Sequence, residues 1–156
     1  MKKTLAALLA ALALGVPAAS AEGLFQANEL SIMGFGNWID KQEEHWGGGF
    51  GIGYFLTRNF GVGATTHWED IEGTFLDNLA GEAYFRLPLN RIPIAPYAIG
   101  SASYSWELER WSFGAGGGAE LRLNETIGLF SDIQWLFNEG AENDGVGVRF
   151  GFRLNM

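Results

Sequence analysis

The stretch that most narrows the choice of fold is the last one, GVGVRFGFRLNM at residues 145–156. Val146, Val148, Phe150, Phe152, Leu154 and Met156 fall on one parity, and Gly147, Arg149, Gly151, Arg153 and Asn155 on the other. A period of two over this length describes a strand with different surroundings on its two faces. In a soluble sandwich the bulky set would be the core, and the water face would rarely carry glycine at every other position. In a transmembrane β-barrel the bulky set meets lipid, while small and charged groups fill the lumen. The barrel suits the rest of the chain better.

The same alternation recurs about eight times. At 47–57, Phe50, Ile52, Tyr54 and Leu56 oppose Gly47, Gly49, Gly51 and Gly53. At 60–68, Phe60, Val62, Ala64 and Trp68 oppose Gly61, Gly63, Thr65 and His67. At 78–87, Leu79, Gly81, Ala83, Phe85 and Leu87 oppose Asn78, Glu82, Tyr84 and Arg86. Residues 94–106 are mixed, with Ser101, Ser103 and Ser105 on one side and Pro96 near the strand start, where proline is tolerated. At 112–123, Phe113, Ala115, Ala119, Leu121 and Leu123 face away from Gly114, Gly116, Gly118, Glu120 and Arg122. At 127–137, Ile127, Leu129, Ile133, Trp135 and Phe137 oppose Gly128, Asp132 and Gln134. The first strand, 29–39, has apolar groups on both parities, so its facing stays open.

Tight polar turns are expected at 57–59 and 124–126 and a slightly longer one at 88–93, with longer acidic loops around 40–46, 69–77, 107–111 and 138–145. Short turns at one end and longer loops at the other is how an outer-membrane barrel is built. No stretch after residue 21 approaches the ~20 apolar residues of a membrane-crossing helix, so a closed barrel is the one spanning form open to this chain. Residues 1–21 read as a signal peptide: Lys2 and Lys3, an apolar run from Leu5 to Val16, then Ala19-Ser20-Ala21. The mature domain is then 22–156, exported and placed in a bacterial outer membrane.

GFGIGYFLTRNFGVG, IAPYAIGSASYS and GAGGGAELRLNETIGLFSDIQWLF together resemble the outer membrane protein β-barrel domain family, the small eight-stranded barrels of the OmpA and opacity-protein type. The likeness covers most of 29–156. It implies an eight-stranded antiparallel up-and-down barrel and recognition of the C-terminal strand by the outer-membrane assembly machinery. The family's terminal residue is usually Phe or another aromatic; here it is Met156.

Two residue sets are candidates for function. Glu82, Arg86, Glu120, Arg122, Asp132, Arg149 and Arg153 fall on lumen parities. Uncompensated buried charge is very costly, so these should pair as a register-fixing plug; the rival reading is a selectivity ring. All six tryptophans, Trp38, Trp46, Trp68, Trp106, Trp111 and Trp135, lie beside the acidic loops. Indole prefers the headgroup boundary, so they form an interfacial girdle, with a carbohydrate platform as the rival.

Twelve of the 18 acids sit in the loops, against only Lys41 and Arg110. Losing Lys2 and Lys3 takes the basic count from 10 to 8 and the net charge from −8 to −10, which argues against nucleic acid as a partner. Catalysis would need a constellation that His45 and His67 do not supply, as no Ser lies near Thr66-His67-Trp68 and no G-x-S-x-G occurs. With two His and no Cys, neither a metal nor another cofactor is expected. The sequence therefore suggests a non-enzymatic, monomeric barrel with a structural or surface-interface role, bordered by outer-membrane lipid and lipopolysaccharide. A narrow, weakly cation-preferring pore is the first alternative, and a soluble calycin-like ligand-binding barrel the second.

Overall fold

The computed structural model describes residues 23–40, 44–68, 78–106, 109–138 and 144–156. Eight strands follow one another: β1 Glu29–Asp40, β2 Glu44–Phe55, β3 Phe60–Trp68, β4 Asn78–Arg86, β5 Ile94–Ser105, β6 Arg110–Arg122, β7 Ile127–Asn138 and β8 Gly145–Asn155. Each pairs antiparallel with its sequence neighbours, and β8 pairs with β1, so the sheet is a closed barrel without an edge. Partners can be followed once around, from Leu30 to Tyr54, Val62, Ala83, Gly100, Ala115, Trp135 and Val146. The circuit ends on Asp40, ten residues beyond its start on β1. For eight strands a stagger of this kind goes with a tilt of about 35–45°.

Facing follows the alternation. Phe50, Ile52, Leu79, Phe85, Phe113, Ile133, Phe150 and Phe152 all point outward and are exposed. A calycin-like interior lined by this apolar set is thereby ruled out. Strand β1, ambiguous in sequence, turns Glu29, Ser31, Met33, Phe35, Asn37 and Ile39 inward, and Leu30, Ile32 and Trp38 outward. The cause lies on its neighbours. A Cβ on Gly49 would stand 2.5 Å from the Phe35 ring edge, and one on Gly151 would stand 2.8 Å from Phe35 Cβ. These inward glycines of β2 and β8 make the room that Phe35 fills.

The connections differ from the sequence expectation. Trp38 pairs with Trp46, Ile39 with His45 and Asp40 with Glu44, so the expected loop at 40–46 shrinks to 41–43. Likewise β6 begins at Arg110, and Ser105 pairs with Arg110, which shortens the expected loop at 107–111. The segment 69–77 and most of 139–144 lie outside the described residues.

Candidate functional site

The polar groups of the interior form two clusters separated by rings. The cluster nearer the turns is built from both ends of the chain. Arg86 on β4 donates from Nη1 to Glu29 at 3.2 Å and from Nε to the Arg58 carbonyl at 2.8 Å. Arg122 on β6 reaches Glu29 at 2.5 Å and also bonds Glu120. Arg153 on β8 donates to the other oxygen of Glu120 at 2.6 Å. Glu120, Arg122 and Arg153 have side chains at most 1% exposed.

Next comes a continuous ring-rich layer of Met33, Phe35, Phe55, Tyr84, Tyr97, Ile99 and Phe130, none more than 8% exposed. The Tyr84 and Tyr97 rings meet edge to face at 5.9 Å, and Phe35 meets Phe130 at 6.5 Å. Arg153 lies 5.2–5.6 Å from the ring centroids of Phe55, Tyr84 and Phe130. Its charge is thus held by Glu120 on one side and by π-faces on the others.

The second cluster centres on Arg149 of β8. Its Nε and Nη2 clamp both oxygens of Asp132 at 3.0 and 3.1 Å, and Nη1 meets Glu82 at 2.5 Å. Tyr97 donates to Asp132 at 2.8 Å, and Tyr84 bonds Glu82. Thr65 and Gln134 add bonds to Glu82 and Asp132 at 3.1 Å each. Paired, bidentate and hydrogen-bonded in this way, charges can persist in a low-dielectric interior. Among the described residues, Asn37 Oδ1, Arg153 Nε and Asn155 Oδ1 are the buried polar side-chain atoms left without a partner.

All seven interior charges read from the sequence sit inside the barrel. An eighth, Glu29, was missed. It bridges Arg86 and Arg122 and brings the interior to four arginines and four acids. A signal existed, since four arginines against three acids left one positive charge uncompensated. Glu29 could not be assigned because the facing of β1 was open.

Between the Arg149 cluster and the loop-side rim, the described inward positions carry no Asp, Glu or Lys and a single Arg, the half-buried Arg110 at the start of β6. Besides Arg110 they include Asn37, Ile39, Ser101, Ser103, Gln134, Leu136 and several glycines, with the serines half-buried. His67 sits across from Gly49 and Ile39 across from His45. Both histidines belong to this upper part, and both are half-buried. Among the described residues, no three His, Asp or Glu side chains come together as a metal-binding group.

Each of the six tryptophans lies within three residues of its strand's loop-side end and shares the outward parity. Trp46, Trp106, Trp111 and Trp135 are about half exposed, and Trp38 and Trp68 less so. Tyr104 contacts Trp106 and Trp111 at ring distances of 6.1 and 5.3 Å. Of the acidic rim, Asp40, Glu109 and Asp144 are described and exposed, while Glu43, Glu69, Asp70, Glu72, Asp77, Glu107, Glu139 and Glu142 lie outside the described residues.

A closed antiparallel barrel with apolar groups outside and compensated charges within is a transmembrane barrel of the outer-membrane class. The chain belongs to the outer membrane protein beta-barrel domain family, whose profile matches residues 4–153. It is similar in fold to the N-terminal barrel of Pseudomonas aeruginosa OprF, with TM-score 0.64 and 14% identity over 84% of this chain and 99% of that one. Neisserial surface protein A matches with TM-score 0.58 and 8% identity over 81% and 95% of the two chains. A de novo designed transmembrane β-barrel matches with TM-score 0.60 and 14% identity, over 84% and 98%. No sequence among curated proteins matches this chain.

Proposed function

We propose that the mature protein is a sealed structural barrel that presents a surface at its loop-side rim, carries out no chemistry and works as a monomer. The observation that carries this reading is the compensated interior: four arginines and four acids paired across the barrel, divided by a ring layer with almost no solvent exposure. An ion passing through would have to displace both. Residues 1–21 serve as the export signal. Lipid and lipopolysaccharide border the outward apolar face, with the tryptophans at one headgroup boundary. Strand β8 is the stretch offered to the assembly machinery.

Conductance tests the seal. Pure protein refolded into planar bilayers should give at most small, infrequent events, whereas a steady porin-like conductance overturns the proposal. The half-buried Ser101 and Ser103 and the acidic rim favour a second reading, a narrow cation-preferring pore. That reading gains the field if cation-preferring events appear and Glu120→Gln weakens the preference.

A further inference from the structure

Ahead of β1, the segment Gly23–Asn28 does not run alongside the barrel. Leu24 and Phe25 are 8% and 3% exposed and pack against Ala95, an inward residue at the start of β5 with no exposure at all. The turn into β1 is fixed by Asn28, which has a left-handed φ of 59°. The Asn28 amide donates to the Phe55 carbonyl at 2.7 Å, and its side chain accepts from Tyr54 Oη at 3.1 Å.

The segment is received by the same two arginines that close the turn-side cluster. Arg86 Nη2 donates to the Gln26 carbonyl at 2.9 Å, and Arg122 Nη1 donates to the Leu24 carbonyl at 3.0 Å. Both guanidinium groups also flank the Phe25 ring, at 5.1 and 4.8 Å from its centroid. Backbone carbonyls and one aromatic face are what an arginine pair can hold without a second charge.

We propose that Gly23–Ala27 is a detachable stopper seated in the turn-side mouth and hinged at Asn28, and that Arg86, Arg122 and Ala95 are its receptor site. Two features make it detachable. The segment is not part of any strand, so no ladder opens when it leaves. Both arginines keep ion pairs once it has gone, Arg86 with Glu29 and Arg122 with Glu29 and Glu120. The barrel wall and its ion-paired interior therefore survive removal, and the mouth opens only as far as the ring layer. This inference stands apart from the sealed-barrel proposal, because an open mouth below an intact ring layer still conducts nothing.

The chain has no cysteine, so Ala95→Cys gives a single thiol beneath the stopper. The barrel carrying it is refolded in detergent and exposed to a charged maleimide, with and without deletion of residues 23–27. Asn90→Cys, at an exposed turn, serves as the control for labelling. Removal of the stopper should speed labelling at position 95 by about tenfold or more, a local opening without global unfolding. Labelling at position 90 should not change. Equal rates at position 95 in the two folded barrels would overturn the proposal. So would failure of the shortened chain and of Phe25→Ser to fold, since the arginines would then depend on the segment.

Discussion

The two halves of the lumen obey different rules, although the same strands line both. On the turn side, from Glu29 up to the Arg149 cluster, space is filled by long side chains: four arginines, four acids and six rings. Towards the loops the inward positions are mainly Ser, Gly, Asn and Gln, joined by Ile39, Leu136, the two histidines and Arg110, and several are half-buried. Two glycines show the contrast most plainly. A Cβ on Gly61 would approach the Phe55 ring to 2.6 Å, whereas one on Gly147 would find only the tip of Leu136 at 3.3 Å. Gly61 is a place that the Phe55 ring already occupies, whereas Gly147 leaves room; Gly47 and Gly114, also in the loop half, are closely covered by the Trp68 carbonyl and by Ser101. The turn half is thus the charged and ring-filled one, and the loop half is built mainly of smaller groups with more solvent exposure.

The largest test of this contrast is Glu120→Ala, which strands Arg153 in the buried cluster and leaves Arg122 to the Glu29 carboxylate. It should cost about 3–5 kcal/mol, as breaking a buried pair does. Ser103→Ala, in the upper half, should stay within about 0.5 kcal/mol. Urea titration of the refolded barrel measures both, and equal losses would erase the distinction between the halves. Glu29→Gln keeps the shape and removes the charge that makes the interior neutral. It should cost about 1–3 kcal/mol by the same titration. A neutral result would show that Arg86 and Arg122 are satisfied by the carbonyls and Glu120 alone. Smallest is the glycine pair: Gly61→Ala should cost about 1–2 kcal/mol through displacement of Phe55. Gly147→Ala, beside a movable leucine tip, should cost about 0.5 kcal/mol or less. Reversal of that order would mean that the space beside Gly147 is tighter than that beside Gly61.

Much of this was legible in the sequence where a strand carries glycine or charge on one parity and bulky apolar groups on the other, as β2, β6 and β8 do. Strand β1 was not legible, and the reason is physical. Met33 and Phe35 face inward because glycines on β2 and β8 leave a hollow there, and that hollow exists only once register joins strands from opposite ends of the chain. Glu29 was lost with the facing of β1. Residues 23–28 have no periodicity to read, so their place inside the mouth had no local signature. Where hairpins end was also overextended, because acidic composition marked 40–46 as loop while Trp38 and Trp46 were close enough in sequence to keep pairing.

The seam between β1 and β8 has a kinetic consequence. It joins Ser31 to Asn155, the first strand to the last, whereas every other pairing joins neighbours along the chain. Hairpins can zip locally, but this contact carries nearly the longest loop-closure entropy available to the domain. Until it forms, two strand edges carry unpaired backbone groups that lipid cannot solvate. A stepwise route through a half-closed sheet in the bilayer core is therefore steeply uphill. Closure and insertion should rise together as a single phase, and substitutions along the seam should slow folding more than equally destabilising ones within a hairpin.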